Sequence, residues 1–221
     1  MKIHIRRVGT TVFLGLLLSV LLPCAAAAGV GQVNLHIGQS PDCVYLTYSA
    51  PDASQGAVSV AGPEGTLTYS AQAAWSNTAE KYLYTAELDG LSPGSAYTYE
   101  IAGAYSGGFQ TPAESGAFTF AFLTDLQIGF TSDARSTGAL FSLLNHQDGL
   151  AFAYMAGDFV DSARNEQQWE LLFQNGGVHA GAGQSFLGNH LLAAAQGNHD
   201  NASFSGHITV PSAGGEVGPA V

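Results

Sequence analysis

Positive charge is scarce in this sequence: 221 residues carry 6 Lys and Arg against 17 Asp and Glu. Three of the six crowd into the first seven residues, at Lys2, Arg6 and Arg7, which leaves Lys81, Arg135 and Arg164 for everything downstream. A surface so short of cations repels phosphate backbones and offers no basic stripe, which excludes nucleic acid as a partner. Cysteine is nearly absent too. With Cys24 inside the leader described below, Cys43 stands alone and no internal disulfide can form, so stability must come from packed cores. Long apolar runs are also missing. The stretch from Val12 to Leu22 falls short of the roughly 20 residues needed to cross a bilayer, and Pro23 closes it.

What is present begins with a leader. A basic start, the apolar run Val12 to Leu22 and the small residues Ala25-Ala26-Ala27-Ala28 read as a secretory signal peptide over 1–28, cleaved near Ala28. A lipid-anchored lipoprotein modified at Cys24 is the rival reading. Pro23 argues against it, standing where a small residue is expected. Removal of the leader leaves three fixed cations and all 17 acids, a net charge of −14. Such a chain suits a secreted location, extracellular or periplasmic, with no stable membrane span. About 190 residues then remain, enough for one large or two small domains.

From about 30 to 115 the pattern is short alternating runs such as Cys43-Val44-Tyr45-Leu46-Thr47-Tyr48, separated by Pro, Gly, Asp and Ser clusters. This predicts an all-β sandwich. The segment Leu88-Asp89-Gly90-Leu91-Ser92-Pro93-Gly94-Ser95-Ala96-Tyr97-Thr98-Tyr99 resembles the fibronectin type III signature, in which a turn precedes a strand with Tyr at alternate positions. Tyr97 and Tyr99 are therefore read as structural, with one hydroxyl expected on nearby backbone.

Over 117–221 the period changes, and a partial α/β domain is predicted. Phe118 to Leu123, Leu150 to Met155 and Leu191 to Ala195 are apolar runs read as buried parallel strands with both sheet faces covered. Asp133 to His146 and Glu166 to Phe173 carry helical spacing between them, with Asp133 placed as a cap. Gly176 to Gly183 reads as a flexible Gly-rich loop. His146 is expected at a helix end, His179 in solvent, Gly188-Asn189-His190 in a turn at the opposite sheet edge, and Arg135 and Arg164 on the surface.

Each buried-strand candidate ends in a polar residue: Asp125, Asp158 and Asn198. The carboxyl ends of parallel strands share one edge, so side chains just beyond them converge on one crevice. Two carboxylates and an amide oxygen there are hard donors for metal ions. Gly157 and Gly197, each one residue before such a donor, let the backbone turn sharply off the strand.

Asp125-Leu126-Gln127, Gly157-Asp158-Phe159-Val160-Asp161 and Gly197-Asn198-His199-Asp200 are similar, in order and spacing, to three metal-binding blocks of the calcineurin-like metallophosphoesterases. The β-sandwich in front points to purple acid phosphatases, whose catalytic domain follows a fibronectin-like one. The resemblance implies hydrolysis of phosphate esters, monoesters in particular, at a pair of Fe, Zn or Mn ions. Asp125 would bind the first metal, Asp158 bridge both, and Asn198 bind the second. His199 would touch the substrate phosphate or help protonate the leaving oxygen, and Asp161, which stands where the purple enzymes place a Tyr, would orient it. Gln127 stands where many members place a ligating His. The later histidine blocks of the family do not occur before Val221, so the chain is expected to be a truncated half of the catalytic domain, inactive alone and poorly soluble. The other reading is an extracellular binding or adhesion protein whose phosphoesterase domain has lost catalysis.

Overall fold

The computed structural model describes residues 29–200 together with His207 and Ile208; the leader expected over 1–28 and the cleavage near Ala28 lie outside the described residues. The fold is mostly β, with two sheets and few helices. Eight strands come first: β1 (Gly31–Ile37), β2 (Val44–Ala50), β3 (Ala57–Gly62), β4 (Gly65–Ser70), β5 (Gln72–Ser76), β6 (Lys81–Leu88), β7 (Ala96–Ile101) and β8 (Tyr105–Gln110). After them alternate β9 (Thr119–Leu123), α1 (Thr131–Leu144), β10 (Leu150–Ala156), α2 (Glu166–Gln174), α3 (Ala182–Leu187) and β11 (Leu191–Ala195).

Alternation explains the first eight strands. In β7 every second residue is buried, so Tyr97, Tyr99 and Ile101 face inward while Thr98 and Glu100 stay wet. They meet Val58 and Val60 of β3 and, from the other sheet, Leu35, Leu46, Tyr48, Tyr84 and Leu88 in one apolar cluster. Within it Tyr48 and Tyr84 stack at 4.8 Å. The Tyr97 hydroxyl accepts the Ser92 N–H at 2.7 Å, a bond to backbone five residues upstream, and donates to Glu64 Oε2 at 2.7 Å. The Tyr99 hydroxyl donates instead to the Gly188 carbonyl at 2.6 Å, tying β7 to the end of α3.

The two sheets run in the orders β4-β3-β7-β8 and β5-β6-β2-β1-β11-β10-β9. The second is continuous across the stretch near residue 116 where the sequence changes period. There β1 pairs with β11 in parallel, Leu35 opposite Leu191 and His36 opposite Leu192. The strands β11, β10 and β9 are mutually parallel, as their apolar runs predict.

Helices pack on one face of these three strands. α1 and α3 meet through Phe141 and Phe186, stacked at 5.0 Å, and α2 buries Trp169, Leu172 and Phe173 as its spacing predicts. Each such burial stabilises by about 1.5–3 kcal/mol. Asp133 caps α1 from its third position, its carboxylate accepting the N–H groups of Gly129 (3.1 Å) and Phe130 (2.9 Å).

Two expectations are corrected. The Phe118–Leu123 run is not buried on both faces: Phe118, Phe120 and Phe122 are 65%, 49% and 61% exposed, because no described element covers that side of β9. Nor is Gly176–Gly183 a structureless loop, since it holds a 3-10 turn (Gly177–His179) and the start of α3. Its glycines have a packing reason: a Cβ at Gly183 would lie 2.0 Å from the Leu172 carbonyl, where α3 crosses the end of α2.

Candidate metal site at the ends of three parallel strands

The loops that leave β9, β10 and β11 are held to one another by main-chain bonds. The Asp125 N–H donates to the Gly157 carbonyl (3.3 Å), Gln127 N–H to the Asp158 carbonyl (2.8 Å), and Ile128 N–H to the Phe159 carbonyl (3.3 Å). Reaching this register forces three non-glycine residues into the left-handed region: Asp125 at φ 51°, Gln127 at 37° and Asp158 at 52°. Such backbone costs on the order of 1–3 kcal/mol per residue and gathers at functional sites. Here it coincides with three positions singled out from the sequence.

Glycine sets the spacing between the second and third loops. A Cβ at Gly157 would stand 2.6 Å from the Gly197 nitrogen, and one at Gly197 would stand 2.1 Å from Asp158 Oδ1. The two glycines therefore let the loops touch. Asp158 Oδ1 accepts the His199 N–H at 2.8 Å, so the second loop's carboxylate also orders the third.

Asp200 is the buried fastener, and residue-type reasoning gave it no role. It is fully buried and accepts three main-chain N–H groups, from Asp158 (2.7 Å), Gly197 (2.9 Å) and Phe159 (3.0 Å). Burial raises its pKa above the usual carboxylate value, against the pull of those donors. Its only signal in the sequence was its place as the fourth residue of the Gly197 block.

His199 rests its Nδ1 on the main-chain carbonyl of Asp161 at 2.6 Å, while the Asp161 carboxylate stands 3.7 Å away. That carbonyl, with the charges of Asp158, Asp161 and Asp200, raises the imidazole pKa above its ordinary value. Asp125 and Asn198 are exposed at the rim, with Thr124 Oγ1 donating to Asp125 Oδ2 at 2.5 Å. Beside them a depression of about 610 Å³ is lined by Asp125, Gln127, Phe130, Asp133, Thr137 and Asp161.

The chemistry of this donor set is carboxylate and amide oxygen, suited to hard cations. Among the described residues no three His, Cys, Asp or Glu side chains form a metal cage. Cys43 is remote from this chemistry; burial and Glu87 push its thiol up to about 11. Three further described histidines make local contacts, and His179, expected in solvent, is half-buried because Ser142 holds its ring. His146 Nδ1 pairs with the Ser142 carbonyl and His179 Nδ1 with Ser142 Oγ, while His190 stacks on Phe186. In the Gly188-Asn189-His190 turn, Asn189 Oδ1 accepts the Gly108 N–H.

With the strands and their ends placed, comparison with solved structures becomes informative. The fold is similar to that of a purple acid phosphatase. That protein, from yellow lupin (Lupinus luteus) seeds, aligns with a TM-score of 0.64 over 84% of this chain, at 13% sequence identity. The chain spans 41% of the lupin phosphatase. No protein-family model matches the sequence, and no curated protein matches it. The similarity is one of fold. Among the described residues no helix is long and apolar enough to cross a membrane.

Proposed function

We propose that this chain contributes part of the active site of a secreted, metal-dependent phosphatase that hydrolyses phosphate monoesters, in which a fibronectin-like sandwich precedes an α/β catalytic domain. The observation that carries the reading is the convergence of Asp125, Asp158 and Asn198 at the ends of three adjacent parallel strands, two of them on left-handed backbone. The fold similarity to the lupin enzyme supports it.

In this reading Asp125 and Asp158 hold one ion and Asp158 and Asn198 a second, with the Gln127 amide oxygen a further donor. Ions of Fe, Zn or Mn bound there supply Lewis-acid polarisation of phosphoryl oxygens and acidify water. The chain's own residues do the rest. Asp200 fixes the loops that carry the donors, and Asp158 Oδ1 orients the His199 backbone. An imidazole with a raised pKa carries its proton to higher pH, which suits donation to a leaving oxygen. Net negative charge leaves metal ions, in place of Lys or Arg, as the phosphate's partners.

The test has two parts. Mn²⁺ titrated into the chain together with whatever its gene encodes past Val221 should bind, and Asp158→Ala should abolish binding. An aryl phosphate should then be hydrolysed, with Mn, Zn or Fe supplied, by a version extended past Val221 by whatever its gene encodes. Hydrolysis that survives Asp158→Ala would sink the proposal, as would inactivity of the extended, metal-loaded form. The absence of a three-residue cage among the described side chains favours one other reading, an extracellular binding protein without catalysis. Stoichiometric metal in the extended protein would exclude it.

A further inference from the structure

The loop from Asp161 to Asn165 has little packing of its own: Asp161, Ser162, Arg164 and Asn165 are exposed, and only Ala163 is buried. Yet three successive peptide units in it are pinned. The Ser162 N–H donates to the Gln168 side-chain oxygen at 2.6 Å. The Ala163 N–H donates to the His199 carbonyl at 3.3 Å, and the Ser162 carbonyl accepts the Asn165 N–H at 2.9 Å. The Ala163 carbonyl accepts the Trp169 indole N–H, also at 2.9 Å. Gln168 and Trp169 stand side by side on α2 and are both buried. Their helix is fixed at its first residue, where Glu166 holds Lys81 of β6 at 2.5 Å and Gln32 of β1 at 2.7 Å.

The first of these peptide units bears on the chemistry. The Asp161 carbonyl and the Ser162 N–H belong to one planar trans peptide, so they point in opposite directions. Gln168 takes the N–H on one side, which aims the carbonyl at His199 Nδ1, 2.6 Å away on the other. An acceptor at Nδ1 orients the ring and keeps a proton on that nitrogen, leaving Nε2 as the nitrogen that exchanges a proton with a ligand. Capping does not account for Gln168, because Asn165 already caps α2 through the Gln167 N–H. A buried amide is costly unless hydrogen-bonded, and the partner its oxygen has found is this one peptide.

We propose that Gln168 is a positioning residue for His199: through the Asp161–Ser162 peptide it sets the tautomer and the direction of the imidazole without touching substrate. The inference rests on the phosphatase reading above, in which His199 protonates the leaving oxygen. It gives α2 a part in that step, and through Glu166 it ties the helix that aims the acid to the sandwich strands β1 and β6.

Gln168→Met keeps the volume and removes the acceptor. The test uses the Zn-loaded protein extended past Val221 by whatever its gene encodes. Nitrogen NMR at a pH where the ring is neutral should find the parent's His199 proton on Nδ1, and Gln168→Met should lose that preference. An alkyl phosphate, whose leaving oxygen needs a proton, should be hydrolysed roughly 10–100-fold more slowly in kcat, part of the ~10²–10⁴-fold a positioned acid supplies. KM should stay put, and para-nitrophenyl phosphate, whose leaving group needs no acid, should stay within about twofold. Gln167→Ala, next door but exposed, should change none of these. Far-UV circular dichroism checks folding, and Gln168→Asn, whose amide stops one methylene short, carries the same expectation where Met is not tolerated. A parent that hydrolyses neither ester refutes the phosphatase reading and this inference with it. An active parent in which the Gln168 variants slow both esters alike, or neither, or leave the His199 tautomer unchanged, refutes the positioning role alone.

Discussion

Adding one methyl group at position 197 should unseat the rim of the candidate site. The new Cβ of Gly197→Ala would stand 2.1 Å from Asp158 Oδ1 and 2.4 Å from the Asp158 nitrogen, where ordinary contact begins near 3.4 Å. The carboxylate could swing aside, but the main-chain nitrogen cannot without dragging the whole second loop. Overpacking of this kind costs about 1–3 kcal/mol. The displaced loop also strains the bond from Gly197 N–H to Asp200 Oδ2, and a hydrogen bond to a charged group is worth about 1.5–3 kcal/mol. Together the loss is about 2.5–6 kcal/mol, which with a urea slope of about 2 kcal/mol per molar lowers the unfolding midpoint by about 1–3 M. Gly31→Ala is the reference, because the nearest atom to its new Cβ is Ser49 Oγ at 3.8 Å. It should leave the midpoint where it is. Equilibrium urea unfolding of both variants decides the matter: midpoints within about 0.3 M of each other, on the same slope, would refute the argument that glycine holds these loops in contact.

Glu166 gives a pH-dependent test. Burial works to raise its pKa, but hydrogen bonds from His207, Lys81 and Gln32, with the charge of His207, outweigh it and hold the carboxyl at about 2. A depressed folded pKa means stability present above the ordinary carboxylate value and lost as pH falls towards 2, here about 3 kcal/mol at about 1.4 kcal/mol per pH unit. Glu166→Gln should be destabilised by about that amount at pH 7 and converge on the parent near pH 2, measured by urea unfolding; a gap independent of pH would refute it. His199 gives another. Its imidazole should titrate above 6.5 by NMR, and Asp161→Asn should keep most of the elevation because the main-chain carbonyl remains. A return to 6.5 would show that the carboxylate controls it.

The layout of the candidate site at one sheet edge could be read from residue order because each block is local: a strand, a glycine turn, a polar residue. Asp125, Asp158 and Asn198 each follow an apolar run, and parallel pairing of those runs is enough to bring them to one edge. The fastening by Asp200 was less visible, since a carboxylate's three backbone partners lie on two separate loops. The helix α3 escaped because Gly181 and Gly183 signal a loop locally, while their real cause is the neighbouring α2. Phe118, Phe120 and Phe122 misled for the converse reason: an apolar run shows that a surface wants cover, and only the tertiary arrangement shows whether it has any.

The pairing of β1 with β11 also sets a timetable. Leu35 and Leu191 are 156 positions apart, and a ribosome adding about 5–20 residues per second takes roughly 10–30 s to cover that distance. Over that interval β1 has its hairpin neighbour β2 but an open outer edge, a template for pairing with another nascent chain. Buried Asn34 and His36, joined side chain to side chain at 2.5 Å, lie on that waiting strand. Asn34 Nδ2 donates to the His207 carbonyl, so one face of β1, like its outer edge, finds its partner only in a segment made 173 residues later.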